Sequence, residues 1–402
     1  MGLFGSQGIT RRRLAKGAAA TAGAIAAITL VGCSDDDTKK TTGEPQVVND
    51  DSKIVNVLDE YKKADTSIDP AKSWTLPLGT VLFHSEGSWA AAMTVPASST
   101  HPNSLAALSL SSGSLDTLMD APTTGRTYAF HDVRLASGAA AWVEMDYGAK
   151  QWVLMGQAFS GGKLDGQPVK LDHGGEDYDP PQLDATGSTI VWQKMPNVTG
   201  KKRSEDSHLY LWNAGDAEGA SIYDSPGRFA CAPRVSGSTL TIVPRVRESD
   251  GTYYGMTALD LSNGSRKQVD QLVLPGSVRP LEAVYLNGQF GFSIEAAYDG
   301  VGNLGKMGTF IGREGGPYVF FGREPAACVA GKGSRYLVKT QSSHYLIDTD
   351  AKTYALVAAP DRCLEFGDYP ASAGETSSFL TYATIRDEQG LPASVSARLF
   401  EL

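Results

Sequence analysis

Four carboxylates and an imidazole crowd into eight residues at Asp172-His173-Gly174-Gly175-Glu176-Asp177-Tyr178-Asp179. Hard oxygen ligands on a glycine-containing loop are what Ca²⁺ takes, so Asp172, Glu176, Asp177 and Asp179 are the candidate metal ligands. Their spacing is not that of an EF-hand. An acidic turn between strands uses the same residues, and that is the reading adopted, with no resident cofactor expected. A second motif, Gly300-Val-Gly-Asn-Leu-Gly305-Lys306-Met307, fits GxGxxG and has Met307 where a P-loop needs Ser or Thr. Either phosphate reading needs a helix starting at the last glycine. Gly308, Gly312, Gly315 and Gly316 forbid one, so a hairpin loop is expected there. The six histidines show neither HxH nor HExxH spacing, which leaves zinc or copper chemistry without a ligand set. No GxSxG supplies a nucleophile elbow. Carboxylate pairs for glycoside cleavage remain open, because they can be assembled from distant segments.

The elements that would position these residues are short strands in repeating units. Pro181-Gln-Leu-Asp-Ala-Thr-Gly-Ser-Thr-Ile-Val-Trp-Gln193, Pro233-Arg-Val-Ser-Gly-Ser-Thr-Leu-Thr-Ile-Val243 and Val133-Arg-Leu-Ala-Ser-Gly-Ala-Ala-Ala-Trp-Val143 each read as strand, glycine turn, more apolar strand. Further strand pairs follow, as in Ala106–Gly113, Thr257–Gly264 and Tyr345–Lys352. Four strands per unit of about 47 residues is the period of propeller blades. The expected fold is all-β, a β-propeller over 75–402 with seven blades, six being the alternative. The repeat resembles that of the TolB-like β-propellers, whose units run Pro-x-x-Ser-x-Asp-Gly-x-x-Ile-Ala-Phe before a strand such as Ile-Tyr-x-x-Asp. Residues 181–193 with Leu209-Tyr210-Leu211-Trp212 match best, although Thr186-Gly187 replaces the family's Asp-Gly. The resemblance covers about three of the units and implies architecture, not activity.

Upstream, Leu30-Val31-Gly32-Cys33 closes an uncharged stretch from Gly17, preceded by Thr10-Arg11-Arg12-Arg13. This layout resembles a twin-arginine signal peptide ending in a bacterial lipoprotein cleavage box. It implies removal of 1–32, export through Arg11 and Arg12, and lipidation of Cys33. The protein would then sit on the outer face of the cytoplasmic membrane, held by its lipid alone. Residues 33–50 read as a flexible tether. Ile54, Val57, Leu58 and Tyr61 recur at helical spacing, so 51–74 reads as a short helix over 51–63 followed by a linker.

The net charge is −9, and the leader holds basic residues and no acid, so the remainder is more acidic still. That balance argues against nucleic acid as a partner. Beyond Cys33 there are three cysteines, Cys231, Cys328 and Cys363, an odd number without CxxC spacing. Burial as small apolar side chains is expected, and Cys328 with Cys363 is the one pair considered for a bridge.

Segments entering each blade would form a rim around the axis. They carry His131, Asp132, Arg134, Asp177, Asp179, Arg228, Arg279, Arg323, Glu324, Arg362 and Asp368. Charged loops on a rigid scaffold are where binding resides. The expected function is a non-catalytic binding or scaffold module for a protein, peptide or glycan. The alternatives are a glycan lyase or hydrolase, and an envelope assembly factor. Cys33→Ala should leave uncleaved precursor and move the protein to the soluble fraction. Normal processing and membrane retention of that variant, followed by immunoblotting, would contradict the lipidation.

Overall fold

The computed structural model describes residues 53–402, apart from 66, 97, 99–100, 249–250, 275–277, 296–301 and 365–367. Arg11, Arg12 and Cys33 lie outside the described residues. The strands fall into seven sheets. Sheet 1 holds Val81–Glu86, Trp89–Thr94, Ser104–Ser109 and Leu115–Met119. Sheet 2 holds Ala129–Leu135, Ala139–Asp146, Gln151–Ser160 and Lys163–Gly174. Sheet 3 holds Gln182–Thr186, Thr189–Lys194, Ser207–Asn213 and Ala220–Ser225. Sheet 4 holds Arg234–Ser236, Thr239–Ile242, Gly251–Asp260 and Gln268–Val273, with Arg245–Glu248 folded back as a hairpin. Sheet 5 holds Pro280–Leu286, Gln289–Ile294, Gly308–Gly312 and Tyr318–Phe321. Sheet 6 holds Ala330–Lys332, Arg335–Lys339, His344–Asp348 and Thr353–Val357. Sheet 7 takes Tyr369–Pro370, Ser378–Arg386 and Pro392–Glu401 from the end of the chain, and Lys72–Pro77 from its start.

Middle strands are covered on both sides, which is why they read as apolar runs instead of alternating. Ala139 to Glu144 are all buried. Each sheet packs on the next through an apolar seam. Trp142 sits in the seam of sheets 1 and 2, and Trp192 with Trp212 in that of sheets 2 and 3. Truncating such a side chain costs about 3–5 kcal/mol. Further seams join sheets 3 and 4, 4 and 5, 5 and 6, and 6 and 7. Leu76, Leu380, Val395 and Ala397 of sheet 7 then pack on Leu82, Ala90 and Leu108 of sheet 1, which closes a ring.

The strand order gives the ring two faces. The first carries the links between sheets and the connections from second to third strands. The second carries the remaining turns.

The helix expected over 51–63 is replaced by one turn, Val57–Glu60, between two short strands. Ile54–Asn56 pairs in parallel outside sheet 5, and Lys62–Lys63 outside sheet 6. Edge pairing satisfies these backbones and buries Val57 and Tyr61 against Phe321, Val338 and Ile347, which outweighs the propensity of so short a helix. The expected linker up to residue 74 is likewise corrected, since Lys72–Pro77 is a strand of the ring. The Gly302–Gly305 segment of the glycine motif is a single 3₁₀ turn, with Gly300 and Val301 outside the described residues. All three cysteines beyond Cys33 are free, so the Cys328–Cys363 bridge is not formed.

Candidate functional site

Second strands deliver a polar residue to the first face two positions after their tryptophan. In sheet 2 this is Glu144, fully buried. It accepts hydrogen bonds from Thr123 N at 2.9 Å, Thr124 N at 2.7 Å and Trp142 Nε1 at 2.9 Å. Burial alone would raise its pKa, but these donors outweigh that and hold it below the ordinary glutamate value. It pins the link between sheets 1 and 2. In sheet 3 the equivalent residue is Lys194, whose Nζ lies 2.6 Å from Asp172 Oδ1. The signal, Trp-x-polar at a strand's end, is present in the sequence at both places.

Lys194 belongs to a cleft on the first face between sheets 2 and 3. Two adjoining hollows of about 420 and 600 Å³ flank Glu176-Asp177-Tyr178, and both reach Trp152. Tyr178 is the centre. Its carbonyl accepts Trp152 Nε1 at 3.1 Å, and its hydroxyl donates to Glu205 Oε2 at 2.8 Å. Lys194 and Lys202 lie 5.2 and 5.1 Å from its ring centre. Hydrogen bonds with Tyr178 raise the pKa of Lys202 and lower that of Glu205. Asn197 Nδ2 donates to Asp179 Oδ1 at 2.6 Å, Lys201 N donates to Asp177 Oδ1 at 3.0 Å, and Arg228 pairs with Asp179 Oδ2 at 2.6 Å. These bonds strap the connection over 195–206 onto the acidic turn. The cleft thus places the Tyr178 ring among the ion pairs Lys194–Asp172, Lys202–Glu205 and Lys150–Glu176.

The four candidate Ca²⁺ ligands diverge. Asp172 faces Lys194 and Trp192, Glu176 faces Lys150, Asp177 faces the backbone of Lys201, and Asp179 faces Arg228. No group of three or more metal-ligating side chains is formed among the described residues. The shared rim also divides. Arg228 pairs with Asp179, while Asp177 turns to the Lys201 backbone. His131 is exposed and meets the Tyr147 hydroxyl at 2.9 Å. Asp132 and Arg134 pair at the axis, near Asp184. Arg279 donates to the Ala230 carbonyl at 2.9 Å. Arg362 is exposed in a left-handed turn.

Asp368 is not at the rim. It is buried between sheets 6 and 7, 3.1 Å from His344 Nδ1 and in contact with Arg398. Burial opposes its charge, yet His344, Thr381 and Arg398 outweigh that and hold it well below the carboxylate range. Burial lowers the His344 pKa despite Asp368, and does the same at His84 beside Asp184. Of the other histidine–carboxylate pairs, His84–Asp184 lies at the axis and His208–Asp224, at 2.6 Å, on the surface.

No protein-family model matches the chain, and no curated protein sequence matches it. Solved structures do. The β-propeller domain of the Trilobed protease from Pyrococcus furiosus superposes with a TM-score of 0.53 at 9% identity, over 82% of this chain and 96% of that one. The domain is a β-propeller. A prolyl endopeptidase structure gives 0.53 at 14% identity, covering 80% of this chain and 47% of that one. Prolyl oligopeptidase B from Galerina marginata, bound to a 25mer macrocyclization substrate, gives 0.51 at 12% identity, covering 82% and 49%. This chain therefore spans about half the length of those two peptidases. These likenesses correct the expected function. The propeller was expected to be a non-catalytic binding or scaffold module, a glycan enzyme or an assembly factor, whereas the propellers it superposes on are parts of peptidases.

The buried histidines and Asp368 set the response to acid. A histidine whose folded pKa is lowered takes up its proton more readily when unfolded. Its stabilising effect is therefore lost as pH falls below about 6.5. Asp368, also depressed in the fold, adds a loss below about 4. Each group contributes at most about 1.4 kcal/mol per pH unit. The melting temperature should fall steadily from pH 7 to pH 4, and His344→Gln should flatten that slope. A melting temperature that rises on acidification to pH 5 would contradict the assignment.

Proposed function

We propose that this chain is a seven-bladed propeller of the peptidase type that receives peptides on its first face for hydrolysis. Its work is to hold and orient peptide for a catalytic centre outside the described residues. The observation that carries this reading is the superposition over 96% of a protease's propeller domain. Two features of the chain support it. Exposed large apolar side chains gather on the first face, with Val95, Tyr147, Val198, Met307 and Leu391 on second-to-third-strand connections and Leu78 on a link. The Trp152–Tyr178 cleft on that face pairs aromatic surface with fixed charges of both signs, which suits a peptide backbone with mixed side chains. The leader supports export and anchoring at Cys33, which would place this work outside the cytoplasmic membrane.

The test uses the full chain purified from its own membranes in detergent, with a random-sequence pentapeptide mixture carrying N-terminal fluorescein. Saturable binding by anisotropy is expected, weakened at least fivefold by Tyr178→Ala. Release of new amino groups from the unlabelled mixture should accompany the native preparation and fall in that variant. No saturable binding by the wild-type chain would overturn the reading.

A further inference from the structure

The cleft between sheets 2 and 3 has a charge balance opposite to that of the chain. The whole sequence carries −9. The two hollows are lined by Lys150, Lys170, Lys194 and Lys201 against Glu176 and Asp177, four ammonium groups to two carboxylates. The carboxylates in and around them are engaged. Asp172 is mostly buried, 2.6 Å from Lys194 Nζ and 3.0 Å from Trp192 Nε1. Asp177 accepts the Lys201 backbone N–H at 3.0 Å, and Asp179 is matched by Arg228. Glu205 is matched by Lys202 and by the Tyr178 hydroxyl. Glu176 stands 3.7 Å from Lys150, with both side chains largely in solvent. Lys170 and Lys201 form no ion pair among the described residues, and both are exposed where they line the hollows.

Lys194 is the fixed member of this set. Its Nζ lies 5.6 Å from the Trp152 ring centre and 5.2 Å from that of Tyr178, and both rings attract an ammonium. An ammonium has three donors. One goes to Asp172 Oδ1 and one to the His173 carbonyl at 3.1 Å. The third is left for the hollow that Lys194 lines. The group is thus held by two aromatic faces and two acceptors, and still has a hydrogen to give. A carboxylate accepting it meets a donor already in place, so little side-chain freedom is lost on binding. Lys170 and Lys201 add the field of two unneutralised charges, which a concave wall focuses. The two lining carboxylates are placed otherwise, since each already faces a lysine ammonium or a lysine backbone amide.

We propose that this cleft selects peptides bearing acidic side chains. Lys194 binds the carboxylate, and Lys170 and Lys201 supply the charge that favours it. This rests on the peptide reading above and deepens it by naming the substrate class. An acidic peptide is repelled by the rest of an acidic chain, so the lysines also decide where on the protein it settles.

The experiment uses the full chain in detergent and three fluorescein-labelled pentapeptides, in which alanine alternates with glutamate, glutamine or lysine. All are C-terminally amidated, so that no free chain end contributes. The glutamate peptide should bind about fivefold more tightly than the glutamine peptide, the difference between a charge-assisted and a neutral hydrogen bond. The lysine peptide should bind more weakly than either. The preference should shrink as salt rises from about 50 mM to about 500 mM. Lys194→Gln should abolish most of it, and circular dichroism checks that this variant folds. The double variant Lys170→Gln, Lys201→Gln alters exposed side chains only and should weaken the preference with the fold untouched. Equal binding of the glutamate and glutamine peptides, or tighter binding of the lysine peptide, overturns this inference and leaves the peptide reading standing. Absence of saturable binding by all three overturns both. A preference that survives all three substitutions together overturns the site. Sodium glutarate displacing the glutamate peptide as effectively as its unlabelled form would assign the cleft to small carboxylates and overturn the peptide assignment.

Discussion

The structure depends on one strand, Lys72–Pro77, which pairs antiparallel with Pro392–Glu401 across almost the whole described chain. Closing a loop of that length costs roughly 5 kcal/mol of chain entropy. Six paired positions from Lys72↔Leu399 to Pro77↔Ser394 oppose it, each backbone hydrogen bond contributing about 0.5–1.5 kcal/mol. Burial of Leu76 adds about 2 kcal/mol. The balance favours closure by a small margin, and the seam between sheets 7 and 1 enlarges it. Without this pairing sheet 7 would lose its outer strand, and the seam that joins it to sheet 1 would lose Leu76.

Closure has consequences at the axis. A ring fixes the distance between opposite first strands, so side chains can span the lumen with defined geometry. Glu86 reaches Gly187, and the loop of sheet 7 reaches Ser236, only because sheets 1, 3, 4 and 7 are held in one ring. The polar residues between sheets follow the same logic. Asp368 with His344 and Arg398 ties sheet 6 to sheet 7, the sheet that must accept the returning strand. Removing one partner of such a buried set leaves an uncompensated charge, which is far costlier than the net worth of the set.

Much of this architecture was legible in the sequence. The glycine turns at Gly187 and Gly237 and the apolar second strands marked the units, and Trp142 and Trp192 are buried in the seams between sheets. The acidic turn and Arg228 were singled out by composition and position, and of these Arg228 pairs with Asp179. The helix over 51–63 was misread because Ile54, Val57, Leu58 and Tyr61 recur at helical spacing, and only the outer edges of sheets 5 and 6, which take Ile54–Asn56 and Lys62–Lys63 as strands, decide against it. Asp368 was misplaced because sequence position does not show that His344 and Arg398 arrive from other strands. The axial charges were missed although their signal was present. His84, Asp184 and Arg234 share one offset from their turn glycines, and only superposing the units on that glycine makes the alternation visible.

The account's central claim is that the ring is closed by Lys72–Pro77. Native-state hydrogen exchange measures it directly. The claim predicts that those amides of Ser73–Leu76 that bond to Pro392–Glu401, and the amides of Val395–Leu399, exchange as slowly as those of Ile190 and Val191 in the middle of sheet 3, all through global unfolding. Exchange in both segments at least a hundredfold faster than at Ile190 and Val191 would show that the ring opens at this seam in the native state, and would contradict the claim.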